Sequence, residues 1–122
     1  MPIMMHHESD HTYRLDISGV LLRAEFRQCE AELTSELDRV GSARLLFVLT
    51  AFEGWERHAD WNDLAFYVKH GDAIERIAIV GDERWRGEAL MFAAADLRKG
   101  PVEYFTPDRE AEARAWLGSR EG

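Results

Sequence analysis

Two apolar runs without polar alternation limit what this chain can fold into. Leu45–Leu49 is a stretch of five consecutive apolar residues, and Ile77–Val80 is a run of four within the mostly apolar, β-branched segment Ile74–Val80. A strand with one face in water alternates between apolar and polar residues, so short runs without alternation are typical of strands covered on both faces. The sequence therefore predicts an α/β fold with at least two interior strands that run parallel to each other.

The residues before the first apolar run predict a hairpin and a helix. Alternation along Met1–Ser18 predicts two short strands, with turn chemistry at Ser9-Asp10 between them. From Arg23 to Val40 apolar residues recur three and four positions apart, which predicts an amphipathic helix, and Gly41 is a typical helix stop.

The rest of the chain alternates between helical and strand patterns. Helical spacing is found in three further segments, at Trp61–His70, Glu83–Arg98 and Pro107–Gly118, and Val102–Phe105 predicts a short strand. Thr106 is expected to cap the last helix. The predicted order is β-β-α-β-α-β-α-β-α in one domain over residues 1–122. We expect a mixed, mainly parallel sheet flanked by helices, with the opening hairpin as its antiparallel edge.

Composition and charge exclude several classes of partner. The 122 residues are 46% hydrophobic, which is enough for a core, and the net charge of −8 repels nucleic acid and anionic membrane surfaces. No apolar run is long enough for membrane insertion, and the single cysteine cannot form an internal disulfide. The sequence predicts a soluble, cytoplasmic protein, and it indicates no cofactor.

A ligand or partner is expected at the carboxyl ends of the central strands, where open α/β sheets bind their ligands. These ends lead into Thr50–Trp55 and Gly81–Trp85. Trp55 follows Gly54 at the predicted junction between strand and helix, so we expect it to be partly exposed beside Phe52 and near the turn at Asp82. The predicted binding residues are Phe52, Trp55, His58, Trp61, Asp82 and Trp85.

Other reactive side chains form no recognisable catalytic or metal-binding set. His6 and His7 are neighbours on a predicted strand and should point to opposite faces, so they cannot share one metal ion with His11 without help. Glu53, Asp60 and Asp63 are better explained as a solvated helix start than as an acid and base pair. Cys29 lies on the apolar face of its helix and should be an inert buried thiol.

Several motifs together carry a resemblance to a known family. They are Phe52-Glu53-Gly54-Trp55, Trp61-Asn62-Asp63-Leu64, Lys69-His70, Ile74–Asp82, Val102-Glu103-Tyr104-Phe105 and Ala115-Trp116-Leu117. With the element order, they resemble the bacterial SpoIIAA-like family of the STAS-like group, from the second strand onward. The resemblance implies a small α/β domain related in fold to anti-sigma factor antagonists and to CRAL-TRIO lipid carriers, and it implies no known reaction.

The resemblance also implies where a regulatory residue would be found. Anti-sigma factor antagonists are switched by a phosphorylated serine at the start of the helix after the central strand. The matching segment here, Thr50–Trp55, has no serine, and Thr50 is its only hydroxyl. This departure argues against a kinase-driven switch.

Three hypotheses of function follow. The first is a non-catalytic binding or regulatory module that acts through a protein partner or a small apolar ligand near Phe52, Trp55 and Trp85, with a homodimer as one form of partner. The second is a lipid carrier of the CRAL-TRIO type, with a cavity lined by Met91, Phe92 and the alanines that follow them. The third is a small hydrolase.

Overall fold

The computed structural model describes residues 3–9, 11–57, 73–93 and 100–118, which form a five-stranded sheet with helices on both faces. The strands are β1 (Ile3–Ser9), β2 (Thr12–Leu21), β3 (Ala43–Trp55), β4 (Ile74–Val80) and β5 (Val102–Phe105). They lie side by side in chain order. β1 pairs antiparallel with β2, and all other neighbours are parallel, so the mixed and mainly parallel sheet predicted from the sequence is confirmed.

Both apolar runs form interior strands of the sheet, and both faces of these strands are buried. β3 lies between β2 and β4, and β4 lies between β3 and β5. Leu45 and Phe47 point into one apolar layer, whereas Leu46 and Val48 point into the other. The pleat explains this division, since successive side chains of a strand lie on opposite faces. The missing alternation in the sequence thus reflects a strand that is covered on both sides.

Helix α1 (Arg23–Val40) and helix α2 (Arg86–Phe92) cover one face of the sheet. The buried residues of α1 follow the spacing read from the sequence, and the predicted helix bounds match the observed ones. Gly41 ends α1 with a φ of +89°, and its N–H donates to the carbonyl of Leu37 at 2.8 Å. Such a φ is costly for a residue with a Cβ atom, which is why glycine is the typical helix stop.

Helix α3 (Glu110–Gly118) covers the opposite face and is held at its carboxyl end by two arginines from the sheet. Arg44 of β3 donates to the carbonyl of Leu117, and Arg76 of β4 donates to the carbonyl of Trp116. The guanidinium of Arg76 also stacks on the Trp116 ring, 5.1 Å from its centroid. The last carbonyls of a helix lack partners within the helix and carry partial negative charge, so cationic side chains stabilise this end.

Two other helix predictions need correction at their starts. The third predicted helix begins as a 3-10 turn at Glu83–Trp85 and becomes α-helical only at Arg86. The last helix likewise begins with a 3-10 turn at Pro107–Arg109. Thr106 occupies the cap position, as predicted, but its side chain makes no capping hydrogen bond to the backbone. The predicted helix Trp61–His70 and the end of the third one, residues 94–98, lie outside the described residues.

Candidate functional site

The carboxyl end of β3 is a bulged extension of the strand and not the start of a helix. Ile17 of β2 pairs with Leu49, Gly19 pairs with Phe52, and Val20 pairs with Gly54. β3 therefore has one extra residue in each of these two steps, which is the definition of a β-bulge. The pairing with β4 ends earlier, at Val48 and Val80, so the last part of β3 is paired in the sheet through β2 alone.

This extension corrects the expectation that the strand stops before Gly54. Gly54 and Ala51 have φ values of +111° and +49°, and these bends allow the chain to remain paired with β2 as far as Trp55. Glu53 and Thr50 consequently lie in a strand and are exposed, so neither residue is at a helix start. The expectation that Glu53 belongs to a solvated helix start is therefore wrong for this structure.

The bulged end of β3 places Phe52 and Trp55 against Trp85 in a compact aromatic group. The ring centroids lie 4.9 Å apart for Phe52 and Trp55, 5.1 Å for Phe52 and Trp85, and 5.9 Å for Trp55 and Trp85. All three pairs are close to perpendicular, which is the edge-to-face arrangement that aromatic quadrupoles favour. Phe52 is buried, whereas Trp55 and Trp85 are partly exposed.

A small apolar void lies beneath Trp55. The void has a volume of about 10 Å³, which is enough for about one water molecule. The walls are entirely apolar and come from β2, β3, β4 and α2: Ile17, Leu21, Phe47, Leu49, Phe52, Trp55, Ile79, Ala89 and Phe92. The Trp55 ring contacts Phe92 at a centroid distance of 5.6 Å, so the indole is one wall of this void.

The indole of Trp55 contains an unsatisfied polar atom. Its Nε1 is inaccessible to water and has no hydrogen-bond acceptor among the residues that the structure describes. An N–H that loses water without gaining a partner costs roughly 1 to 3 kcal/mol. The position of Trp55 is therefore less favourable than its ring contacts alone would suggest.

The turn after β4 forms the neighbouring part of the site. The Asp82 carboxylate accepts a hydrogen bond from the backbone N–H of Arg84 at 2.9 Å and so caps the 3-10 turn that follows. Trp85 follows directly in the 3-10 turn, with the guanidinium of Arg84 4.8 Å from the centroid of its ring. Asp82 is thus part of the local scaffold that holds Trp85.

Tyr104 supports this turn from the neighbouring strand β5. Its hydroxyl donates to the backbone carbonyl of Asp82 at 2.7 Å. Burial raises the pKa of Tyr104 to about 12, so its hydroxyl remains a proton donor over the physiological pH range.

A carboxylate from the end of β3 caps helix α1. Glu56 Oε1 accepts a hydrogen bond from the backbone N–H of Arg23 at 2.8 Å, and the N–H of Glu56 donates to the carbonyl of Leu21 at 2.9 Å. The residue that would normally cap this helix is Leu22, whose side chain has no acceptor. Glu56 therefore replaces a local cap and joins the end of β3 to the start of α1.

Exposed apolar side chains border the aromatic group. Val20 is 42% exposed and Leu22 is 38% exposed. Val20 pairs with Gly54, and a Cβ atom at Gly54 would lie only 3.4 Å from the Trp85 ring. Val20, Leu22, Trp55 and Trp85 are hereafter called the tryptophan edge. No local pattern in the sequence indicated Val20, Leu22, Glu56 or Tyr104, because their positions in the site depend on strand register and on contacts between distant segments.

The other predicted site residues have different positions. His58 and Trp61 lie outside the described residues. His6 Nε2 is 3.3 Å from Asp16 Oδ2, the His7 ring stacks on Tyr13 at 4.6 Å, and His11 Nδ1 is 2.9 Å from the Ser42 carbonyl oxygen. The three histidines therefore contact three different partners, and the described residues contain no group of side chains that could hold a metal ion.

Cys29 is buried in the core beneath α1. Burial, together with the nearby carboxylates of Glu32 and Glu30, raises the pKa of its thiol to about 12. The thiolate is the reactive form of cysteine, so this thiol is inert at neutral pH, as the sequence predicted.

The strand pairings define a small α/β domain with a mixed sheet, in which the strands lie side by side in chain order. The chain belongs to the SpoIIAA-like family, whose model matches residues 12–118. This match confirms the family to which the sequence motifs pointed.

Two solved structures resemble this one. An uncharacterised protein of the DUF3478 family with a SpoIIAA-like fold, from Shewanella loihica PV-4, is 25% identical, with a TM-score of 0.70 over 94% of this chain and 91% of that chain. The anti-sigma factor antagonist SpoIIAA in its unphosphorylated form is 12% identical, with a TM-score of 0.62 over 93% of this chain and 97% of that chain. The second likeness concerns the fold alone.

No curated protein matches the chain. In the described ranges, the helices lack the combination of length and apolar character that crossing a membrane requires.

Proposed function

We propose that this chain is a non-catalytic binding or regulatory module that acts through a protein partner bound at the tryptophan edge. The observation that carries the proposal is that exposed and half-buried apolar residues follow one another along the paired ends of β2 and β3, next to Trp85. Val20 is exposed beside Gly54, and Gly54 lies against Trp85. Tryptophan anchors within such a patch are typical of the residues that dominate protein interfaces.

Charge favours a basic partner. The net charge of −8 attracts cationic surfaces, and the exposed Glu53 lies on the extension of β3 beside Gly19. We therefore expect the partner to present an apolar residue flanked by lysine or arginine. Attraction between opposite charges chiefly raises the rate of association, and dissolved salt screens this attraction. Binding should therefore weaken as ionic strength rises. A second copy of this chain has the same negative charge, which disfavours the homodimer.

The lipid-carrier alternative gains no support from the described residues. Met91, which this alternative places in a cavity wall, is 77% exposed, and the void beneath Trp55 has room for about one water. The hydrolase alternative gains no support either. Of its candidate carboxylates, Glu53 is exposed on the extension of β3, and Asp60 and Asp63 lie outside the described residues.

Native mass spectrometry of the protein isolated intact from its own cells tests the proposal. We expect a complex with a basic polypeptide and no bound lipid. The complex should be lost in Val20→Asp and kept in Ala111→Asp, a matched control that adds the same charge at an exposed position of α3. A lipid adduct would contradict the proposal, as would a homodimer that Val20→Asp alone abolishes.

A further inference from the structure

We propose that Trp55 is a displaceable plug, and that an aromatic or branched aliphatic side chain of the partner takes the place of its indole when the complex forms. The inference rests on the proposed function and adds the site that the partner's anchor residue occupies. Three observations support it: an unsatisfied indole N–H, an apolar void beneath the ring, and a strand end that is paired on one side only.

The indole N–H favours an outward position. Trp55 Nε1 is inaccessible to water and has no acceptor among the described residues, although the ring as a whole is partly exposed. Rotation of the indole towards solvent would give this N–H a water partner. The gain offsets part of the apolar contact that the ring loses, so the outward position costs less than it would for a fully satisfied tryptophan.

The backbone beneath Trp55 can accommodate such a movement. In the sheet, β3 pairs with β4 only as far as Val48, and beyond it the strand is held by β2 through two bulges. Ala51 has a φ of +49°, which is uncommon for a residue with a Cβ atom, and Gly54 has a φ of +111°. Bulges and left-handed residues loosen strand pairing locally, and they are frequent beside binding sites.

The vacated space would select an apolar side chain. With the indole outside, the void beneath Trp55 would become a pocket the size of a large side chain, with a floor formed by Ile17, Leu21 and Ile79. The lining contains no polar group, so a charged or amide side chain would be buried there without a partner. An aromatic or branched aliphatic group fits both the size and the chemistry, and the acidic chain attracts its basic flanks.

Two measurements that need no partner test the plug. In protein labelled with fluorotryptophan, the fluorine resonance of Trp55 should show exchange on the microsecond to millisecond timescale, whereas that of Trp116 should not. In Trp55→Ala the pocket is open, so toluene should bind saturably and shift the methyl signals of Ile17, Leu21 and Ile79. Trp116→Ala, on the opposite face of the sheet, is the matched control and should leave these signals unchanged on addition of toluene.

The outcomes separate the plug from the proposed function. A Trp55 resonance without exchange, or methyl signals in Trp55→Ala that do not respond to toluene, would overturn the plug even if a partner still binds at Val20. If Trp55→Ala fails to fold, Trp55→Leu leaves a smaller space and is tested in the same way. Loss of partner binding with the plug intact would instead overturn the proposed function.

Discussion

The hydroxyl of Tyr104 lies 2.7 Å from the backbone carbonyl oxygen of Asp82. The same hydroxyl limits which residue can occupy position 81, directly before the turn at Asp82. A Cβ atom added at Gly81 would lie 2.7 Å from the Tyr104 hydroxyl and 2.9 Å from Leu49 Cδ1. Both distances are shorter than real Cβ contacts, so the close approach of β5 to the end of β4 requires glycine at position 81.

Gly81→Ala should therefore destabilise the protein by about 1 to 3 kcal/mol, as is usual when an added methyl group overpacks a core. Gly87→Ala is the matched control, because a Cβ atom at this exposed position of α2 meets nothing within 4 Å. Alanine is the better helix former, so the control should gain roughly 0.5 to 1 kcal/mol. The free energy of unfolding in denaturant measures both changes, and equal effects would contradict the packing described here.

The part of the fold that the sequence predicts depends on periodic patterns. The apolar spacing of α1 predicted its bounds, and the runs Leu45–Leu49 and Ile77–Val80 identified the interior strands. The end of β3 could not be predicted in this way. Gly54 is a typical strand breaker, but pairing with β2 keeps the chain in the sheet through two bulges. Tertiary contact overrides the local signal at this point.

The candidate site was predicted only in part, for a related reason. Phe52, Trp55, Asp82 and Trp85 lie together because parallel strands bring their carboxyl ends to one edge of the sheet. The cap that Glu56 provides joins residues 33 positions apart in sequence, and no local pattern indicates it.

Removal of this long-range cap should loosen the first turn of α1. Glu56→Ala deletes the acceptor for the Arg23 N–H, and loss of a capping side chain typically costs about 1 kcal/mol. Hydrogen exchange at the Arg23 amide should accelerate. Arg57→Ala, at the exposed neighbouring residue, is the control. Unchanged exchange at Arg23 in Glu56→Ala would show that the cap contributes nothing.

The buried thiol of Cys29 should make stability depend on alkaline pH. Its pKa is raised from 9.0 to about 12 in the folded protein, so the unfolded chain loses this proton first as pH rises. The contribution is present below pH 9.0 and is lost as pH rises towards about 12.

We expect the free energy of unfolding to fall between about pH 8 and about pH 10 by roughly 1 kcal/mol more in the wild type than in Cys29→Ala. Other groups whose pKa is raised, such as Tyr104, are present in both proteins, so their contributions cancel in the comparison. Denaturant unfolding at the two pH values measures the difference, and parallel losses would mean that the thiol titrates normally.

Trp55 and Trp116 should differ in their contributions to stability. Replacing a core tryptophan with alanine costs about 3 to 5 kcal/mol. Trp116 is partly buried against Phe105 and beneath Arg76, so Trp116→Ala should approach the lower end of this range. Trp55→Ala should cost less, because it also removes an unsatisfied N–H. Thermal unfolding decides the order, and a Trp55→Ala variant at least as unstable as Trp116→Ala would make Trp55 ordinary core.

Site-specific photo-cross-linking in living cells tests the tryptophan edge most directly. A photoreactive amino acid at Val20 should cross-link to a polypeptide, and the same residue at Ala111 on α3 should not. Mass spectrometry of the adduct should identify a partner segment in which an apolar residue is flanked by lysine or arginine, and Trp85→Ala should abolish the adduct. Equal cross-linking at both positions, or an adduct that persists in Trp85→Ala, would contradict a partner-binding role for the tryptophan edge.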